Sequence, residues 1–407
     1  MKYYLFPLSK EEHITPANKG YRYALENKSR WVDLGEAKDE VNTYDKGTTV
    51  LVYKNVVYNI FKDYVNIDEK YRVYIGCDLD MTYDRLTEPE EDAFVWNSTD
   101  NNHKVPTPRN TKSGEKISDA IKSLNGMSGT INLGAGAYSD DFPKEIPYML
   151  TINGAQKNVI ASIGARAVDT IDSTESVISG KIALHGESYV VMDGLTFTKN
   201  AVIDLSDFEG NLTIRNSKFI GITNTTAEDN KYAFKMDEKS IAKLTITGCY
   251  FSNSPGLYNG LELVGELIDG STFSRNKFTE SFCSHNAINI YDVCDNAHIL
   301  ITNNDCPAVN MLRVGIKGEP VCTLTFSGNT QGKSTDPTWN SNILVQPYGV
   351  KTTSFRNCHL KFTNTSEEYD PYVIVAYQEG VDTELTKDKM PTVSVNGKAY
   401  EPKLIVI

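Results

Sequence analysis

Seven short segments from about residue 190 onward repeat at nearly regular intervals, and this repeat constrains the fold more than any other feature. Each segment carries one apolar anchor, and the anchors are Met192, Ile214, Ile246, Phe273, Ile301, Phe326 and Phe355. Successive anchors are 22, 32, 27, 28, 25 and 29 residues apart. An interval in this range is typical of proteins in which each repeat is one supersecondary unit stacked on its neighbours.

A second apolar pattern precedes each of the last five anchors. Twelve residues before them stand Phe234, Leu261, Asn289, Val314 and Ile343, and ten residues before them stand Met236, Leu263, Tyr291, Ile316 and Val345. The period of two between these positions indicates strands whose marked residues point inward. No helical period and no Leu-x-x-Leu-x-Leu pattern is present, so the sequence predicts an all-β parallel solenoid with an apolar interior.

The stretch SGEKISDAIKSLNGMSGTINLGAGAYS (113–139) predicts a cap for the open end of such a stack, which exposes core and unpaired strand edges. Its apolar positions Ile117, Ala120, Ile121 and Leu124 share one face of a short helix. Ser113 is the predicted N-cap, although Lys116 stands where a capping box requires Glu or Gln. Gly126 and Gly129 end the helix before the strand TINLGAGAY.

This helix, the Gly-containing turn and the strand TINLGAGAY resemble the entrance to right-handed parallel β-helices. These are the pectate-lyase-like proteins and the tailspike and fibre proteins of tailed bacteriophages. The resemblance covers residues 106–365 and implies a right-handed parallel β-helix. It also implies a virion protein that forms homotrimers. It says little about activity, because this scaffold carries many functions.

The chain divides into three predicted regions. Residues 1–105 contain Tyr- and Val-rich runs (48–61 and 70–79) and end in a polar linker, which predicts a small β-rich attachment domain. Residues 106–365 form the predicted β-helix. Residues 366–407 predict a short C-terminal β cap with a hairpin at Asn396-Gly397.

Composition excludes several classes of function. The net charge of -12 argues against a nucleic-acid partner, and no apolar run is long enough for membrane insertion. The seven cysteines lack metal-ligand spacing, and we interpret them mainly as buried free thiols. We therefore expect no cofactor and no metal. The absence of a signal-peptide pattern predicts synthesis in a host cytoplasm and a final location in the virion.

The strongest group of candidate site residues lies where the register places outward positions of adjacent strands. Asp292 is expected beside Lys317, with Arg313 close by and Asp295 beyond the strand. A carboxylate with basic neighbours can bind or cleave a uronic acid polymer, but an exposed ion pair of ~0–1 kcal/mol is the simpler interpretation. We commit to no catalytic residue, and these four are candidates only if the chain is an enzyme.

Other candidates are interpreted as structural. Glu262 and Glu266 are expected to be solvated surface residues. His285, which follows Cys283, lacks a third group to orient it as a base. The Gly-His-Gly motif of the polygalacturonase-like branch and the Arg-Pro-x-x-Arg motif of pectate lyases are absent. Arg313-Val-Gly-Ile-Lys317 only loosely resembles the Arg-Ile-Lys motif of the polygalacturonase-like branch.

These observations favour a structural or adhesive virion protein of a tailed bacteriophage, such as a head fibre, tail fibre or tailspike-like subunit. Its expected partners are other virion proteins through residues 1–105, with bacterial surface polysaccharide as a candidate ligand. The alternative is a polysaccharide lyase or glycoside hydrolase that acts on acidic polysaccharides. A bacterial surface adhesin is a third hypothesis, which the missing export signal disfavours.

Overall fold

The structure, a computed structural model, describes residues 2–8, 23–24, 27, 30–40, 49–53, 56–59, 64–68, 71–77, 93–98, 109–112, 114–124, 128–223, 232–254, 256–306, 310–331, 341, 343–346, 354–365, 371–379 and 384–406. The chain divides into two compact units, Met1–Val105 and Pro106–Ile407. In the described residues the regular secondary structure of both units is almost entirely strand, so the chain belongs to the all-β class.

The first unit contains two four-stranded sheets. Its strands are β1 (Lys2–Pro7), β2 (Val32–Glu36), β3 (Lys38–Glu40), β4 (Thr49–Tyr53), β5 (Val56–Asn59), β6 (Tyr64–Asp68), β7 (Tyr71–Cys77) and β8 (Ala93–Ser98). The sheet orders are β2-β1-β7-β6 and β3-β8-β4-β5, and only the β3–β8 pair is parallel. Leu5, Phe6, Trp31 and Tyr74 are fully buried between these strands.

The second unit contains three long ladders of parallel strands. Ladder A consists of β9 (Arg109–Thr111), β10 (Gly129–Leu133), β12 (Met149–Asn153), β15 (Gly186–Asp193), β18 (Phe208–Arg215), β21 (Ile241–Thr247), β24 (Thr272–Ser274), β27 (His298–Thr302), β30 (Cys322–Ser327), β33 (Cys358–Thr363) and β35 (Thr392–Val395). Ladder B consists of β14 (Ile182–Ala183), β17 (Ile203–Asp204), β20 (Phe234–Met236), β23 (Leu261–Leu267), β26 (Asn286–Val293), β29 (Asn310–Val314), β32 (Ile343–Val345), β34 (Val373–Tyr377) and β37 (Lys403–Val406). Ladder C consists of β11 (Gly136–Tyr138), β13 (Ser176–Ile178), β16 (Leu195–Lys199), β19 (Lys218–Ile222), β22 (Tyr250–Ser252), β25 (Lys277–Phe278), β28 (Asp305–Cys306) and β31 (Thr330–Gln331). From β15 to β30 the chain visits A, C and B in turn, and each strand pairs with the next strand of its own ladder.

Ladder A confirms six of the seven predicted anchors. Met192, Ile214, Ile246, Phe273, Ile301 and Phe326 are successive in-register partners, and all are buried. The seventh anchor is wrong, because Phe326 pairs with Phe362. Phe355 is instead buried just before β33. The interval from Phe326 to Phe362 is longer than the earlier intervals. A search at regular spacing therefore stops at Phe355, before β33 begins.

Ladder B corrects the predicted register at two strands. Leu261 pairs with Ile288 rather than Asn289, and Ile288 pairs with Leu312 rather than Val314. The spacing from the in-register residue of ladder B to the next anchor of ladder A is 12 residues from Phe234 and from Leu261 (246 − 234 and 273 − 261), but 13 from Ile288 (301 − 288) and 14 from Leu312 (326 − 312). Counting back ten and twelve residues from the anchors therefore gives the wrong positions in these strands. Asn289 and Tyr291 lie on the outer face instead of in the core.

Two stacks of identical side chains line the interior near ladder C. Phe197, Phe219, Phe251 and Phe278 stack with ring centroids 4.6, 4.7 and 4.7 Å apart. Asn276, Asn304 and Asn329 are buried in the turns between ladders A and C. Each amide oxygen of the later asparagine accepts the backbone N–H of the earlier one, at 3.0 and 2.8 Å.

The predicted capping helix is present as α1 (Ile117–Lys122), and its apolar face is buried in the same core. The predicted cap at Ser113 is wrong, because the helix begins at Ile117 with Lys116 in the N-cap position and no capping side chain there. Ser113 itself and Gly126 lie outside the described residues. The carboxylate of Asp140 accepts the N–H groups of Ile117 and Ser118 at 3.0 and 2.7 Å and so replaces a local cap.

The C-terminal region extends the ladders. Strands β34, β35 and β37 pair in parallel with β32, β33 and β34. The predicted hairpin is confirmed, since β35 pairs antiparallel with β36 (Lys398–Tyr400). Asn396 and Gly397 between them have φ values of 49° and 81°, as a type I′ turn requires.

Candidate functional site

A row of polar side chains crosses the outer face of ladder B. Glu262 of β23, Asn289 of β26 and Arg313 of β29 are in-register partners. Their neighbours Leu261, Ile288 and Leu312 point into the core. Because side chains alternate along a strand, the three polar groups face outward, and adjacent strands bring them about 4.8 Å apart at the backbone.

This polar row is nearly inaccessible to solvent. Glu262 and Arg313 are each 7% exposed, and Asn289 is 0% exposed. The Glu262 carboxylate accepts hydrogen bonds from the Asn259 and Asn289 amides at 3.0 and 2.8 Å. Buried charges normally require such partners, since desolvation of a carboxylate costs several kcal/mol.

Tyr291 links the two charges of the row. The Arg313 guanidinium donates a 2.6 Å hydrogen bond to the Tyr291 hydroxyl, and its Cζ lies 5.1 Å from the ring centroid. Burial raises the pKa of Tyr291 well above its ordinary value; the Arg313 charge opposes this shift and Glu262 adds to it. The phenol therefore stays protonated at neutral pH.

One atom of the row has no partner. The Asn289 amide nitrogen donates to Glu262, which fixes the orientation of the amide, but the Asn289 Oδ1 atom accepts no hydrogen bond. An unsatisfied buried acceptor costs about 1–3 kcal/mol. A group that donates to this oxygen would remove that cost.

Two carboxylates lie next to each other further along the same strands. Glu266 of β23 pairs in register with Asp292 of β26, and both are partly exposed. The pKa of Asp292 is raised to about 6, first by burial and then by the Glu266 charge, with a smaller contribution from Glu238. The Lys317 charge and the Val293 N–H oppose the shift. Asp292 thus changes protonation state just below neutral pH.

The four sequence-predicted candidates do not form one constellation. Lys317 follows β29, where its backbone N–H donates to the Tyr291 oxygen at 2.8 Å, and its charge acts on Asp292. Arg313 is instead directed to Tyr291 and to the backbone oxygen of Gln346. Asp295 is exposed and accepts the N–H of Val321 at 2.8 Å, so it supports a turn.

The interpretation of Glu262 as a solvated residue is wrong, since it is buried and hydrogen-bonded. Sequence reasoning also missed Asn289, Tyr291 and the Glu266–Asp292 pair. The strand NAINIYDV contained the signal: its isoleucines alternate with Asn289 and Tyr291, which places the polar residues outward. The prediction instead counted ten and twelve residues back from the anchors, which placed Asn289 and Tyr291 in the core.

An exposed aromatic pair lies at the turn that precedes these strands. The Tyr258 and His285 rings have centroids 3.7 Å apart, and Tyr258 is 44% exposed. Burial lowers the pKa of His285, and Ser284 Oγ lies 2.9 Å from its Nδ1 atom. Burial also raises the pKa of the Cys283 thiol to about 12, so the adjacent Cys283 is not a thiolate at neutral pH.

A second charged cluster lies on the outside of ladder C, beneath residues 154–175. Lys218 Nζ is 2.8 Å from Glu175 Oε1, and both side chains are 1–2% exposed. Thr196 donates to Glu175, and Lys218 also donates to the Thr170 backbone oxygen at 3.0 Å. The ion pair and these hydrogen bonds fix residues 154–175 against the outer face of ladder C.

The six cysteines whose side chains are described are free thiols, as predicted. Within the described part of the chain, no three His, Cys, Asp or Glu side chains are grouped so as to hold a metal ion. The described helices include none with the length and apolar character needed to cross a membrane. The chain matches no protein-family model, no curated protein and no solved structure.

Proposed function

We propose that the second unit is a right-handed parallel β-helix and that the chain is a fibre or tailspike-like subunit of a tailed bacteriophage. In this proposal Met1–Val105 attaches the subunit to other virion proteins, the β-helix forms the shaft of a homotrimer, and its outer face binds host glycans. The observation that carries the proposal is the set of three long parallel ladders that the chain visits in turn, in a chain that also has a separate compact unit.

The side chains support a rigid shaft with a binding face. Stacked phenylalanines and hydrogen-bonded asparagines repeat through the interior, and such ladders resist bending because each strand is paired on both sides. One buried polar atom without a hydrogen-bond partner, Asn289 Oδ1, lies on the outer face of ladder B. Fibre proteins need this division between a stiff interior and an exposed recognition surface.

The test is incorporation into particles. Phage particles from a culture that produces the full chain are expected to contain it, as measured by mass spectrometry of purified particles. The chain without residues 1–105 is expected to stay folded but to be missing from the particles. Equal incorporation of both chains would contradict the attachment role, and absence of the full chain would contradict the virion assignment.

A second candidate function rests on the Glu266–Asp292 pair. Glu266 and Asp292 are adjacent carboxylates, and the pKa of Asp292 is raised; glycoside hydrolases use a carboxyl group of raised pKa as the acid beside a second carboxylate. The test is incubation with a panel of capsular and uronic acid polysaccharides. New reducing or unsaturated ends that disappear in Asp292→Ala and Glu266→Gln, with Lys317→Ala as a third variant, would favour the enzyme over the fibre.

A further inference from the structure

Two cysteines lie side by side at the start of adjacent strands of ladder A. Cys322 is the first residue of β30 and Cys358 is the first residue of β33, and the two are in-register partners. Cys306 of β28, by contrast, pairs with Gln331. In-register residues of parallel strands lie about 4.8 Å apart, which is within the range of about 4.4–6.8 Å between the Cα atoms of a disulfide.

The side chains of Cys322 and Cys358 point to the same side of the ladder. Buried positions alternate with more exposed ones along β30 and β33, and each cysteine occupies a buried position. Each is 3% exposed and belongs to the main hydrophobic core of the second unit. Because both stand at the point where the chain enters a strand, their backbones can make the small approach that a disulfide requires.

The two thiols interact in the structure. Both are free, and a hydrogen bond with Cys322, followed by burial, raises the pKa of the Cys358 thiol well above its ordinary value. The thiolate is the form that attacks a disulfide. The pair therefore reacts slowly at neutral pH while the two strands stay closed.

The turns that precede the two strands give an oxidant access to the pair. Val321, just before β30, is 48% exposed, and Arg356 and Asn357, just before β33, are exposed as well. This edge is closed by a 2.8 Å ion pair between Arg356 and Glu319 and by a 3.2 Å hydrogen bond from the Cys322 N–H to the Asn357 oxygen. Exposed ion pairs contribute little to stability, so local opening at this edge costs less than unfolding of the core.

We propose that Cys322 and Cys358 are a redox-sensitive pair that closes to a disulfide when the chain passes from a reducing to an oxidising medium. The bond joins β30 to β33 near the C-terminal end of ladder A, where only β35 follows. The end of a stack opens more easily than its middle, and a cross-link there restricts the unfolded chain over residues 322–358. The proposal concerns the stability of the second unit and holds for a fibre and for an enzyme alike.

The oxidant in this step is a low-molecular-weight disulfide such as oxidised glutathione. One protein thiolate attacks a sulfur of that disulfide, its S–S bond breaks, and one glutathione thiolate leaves. The second protein thiolate attacks the protein sulfur of the mixed disulfide, and the second glutathione thiolate leaves. The two protons lost by the cysteines are taken up by the released thiolates, so two protein thiols are oxidised and one external disulfide is reduced.

The experiment equilibrates the full-length chain with oxidised glutathione at about pH 8.5, with and without urea below the unfolding transition. Free thiols are then alkylated, and the digested chain is mapped by mass spectrometry without reduction. We expect the peptides that contain Cys322 and Cys358 to be joined. The midpoint of thermal unfolding is expected to rise by on the order of 5 °C relative to the reduced chain, and to fall again when a reductant is added.

Two variants locate the bond. Cys322→Ala lacks one partner and is expected to show neither the cross-link nor the rise in midpoint on oxidation. The control is Cys306→Ala, because Cys306 is also a buried cysteine in a strand but has Gln331 as its in-register partner. This control is expected to keep both the cross-link and the rise. Each variant is compared with its own reduced form, so the effect of the substitution itself on stability cancels.

Each other outcome contradicts a stated part of the proposal. Free Cys322 and Cys358 after equilibration in urea, a glutathione adduct without a cross-link, or a cross-link to another cysteine overturns the redox pair. A cross-link that leaves the midpoint unchanged or lowers it overturns the stabilising role. Loss of the rise in Cys306→Ala overturns its assignment to this pair. Particle incorporation tests the proposed function separately.

Discussion

Two polar rows run through the second unit, and they differ in how their hydrogen bonds are completed. Asn276, Asn304 and Asn329 form the inner row, between ladders A and C, where each amide nitrogen donates to a backbone oxygen at 2.8 to 3.0 Å. The outer row on ladder B contains Asn289, which is equally buried but keeps an oxygen without a donor.

The difference lies in which groups the side chains of each row satisfy. In the inner row the amides satisfy backbone groups of the turns, so the side chains replace hydrogen bonds that the chain otherwise lacks. In the outer row the side chains bond to one another, Asn289 to Glu262 and Arg313 to Tyr291. A fully satisfied row stabilises the fold, whereas the unsatisfied oxygen in the outer row costs about 1–3 kcal/mol.

The largest expected effect comes from breaking the buried ion pair beneath residues 154–175. Lys218→Met leaves the Glu175 carboxylate buried without its closest cation, and we expect a loss of about 3–4 kcal/mol in unfolding free energy. Denaturant unfolding of the full chain measures it. The control is Lys181→Met, whose ion pair with Asp204 is also 2.8 Å long but leaves Lys181 half exposed. The control should lose less than about 1 kcal/mol, and equal losses would contradict the role of burial.

A smaller effect, with a characteristic sign, is expected at Asp292. Its pKa is raised in the folded chain, so the stability that it contributes is present at low pH and is lost as pH rises toward 6. Asp292→Asn is therefore expected to be more stable than the parent chain at pH 7 by about 1 kcal/mol, after discounting for partial exposure, and to show no gain at pH 4.

The pH dependence of stability is expected to have the opposite sign at Asp237. Burial alone would raise the pKa of Asp237, but hydrogen bonds from Ser240 and from the N–H groups of Asp207 and Lys239 lower it. Its stabilisation is present at neutral pH and lost on acidification, so Asp237→Asn should be less stable than the parent at pH 7. Thermal unfolding of both variants across pH 4–7 measures the two signs, and a gain for both at pH 7 would contradict the assignment.

The sequence predicted the ladders better than it predicted the site. The anchors of ladder A were found because one apolar residue in each pass must face the core. The outer row was missed because its position depends on the number of residues between each in-register position of ladder B and the next anchor of ladder A, and this number is larger for β26 and β29 than for β20 and β23. The Asp140 cap of α1 was missed for a related reason, since the carboxylate comes from residues far along the chain.

The most direct test of the difference between the two rows is one substitution made in each. Asn304→Ala and Asn289→Ala remove the same atoms from sites that are 1% and 0% exposed. Asn304→Ala removes the acceptor of the Asn276 N–H and a donor to the Phe273 oxygen, so we expect a loss of about 3 kcal/mol. Asn289→Ala removes an unsatisfied oxygen, and Glu262 keeps Asn259, so its unfolding free energy should change by less than about 1 kcal/mol. Equal losses in the two variants, measured side by side by denaturant unfolding, would contradict the account.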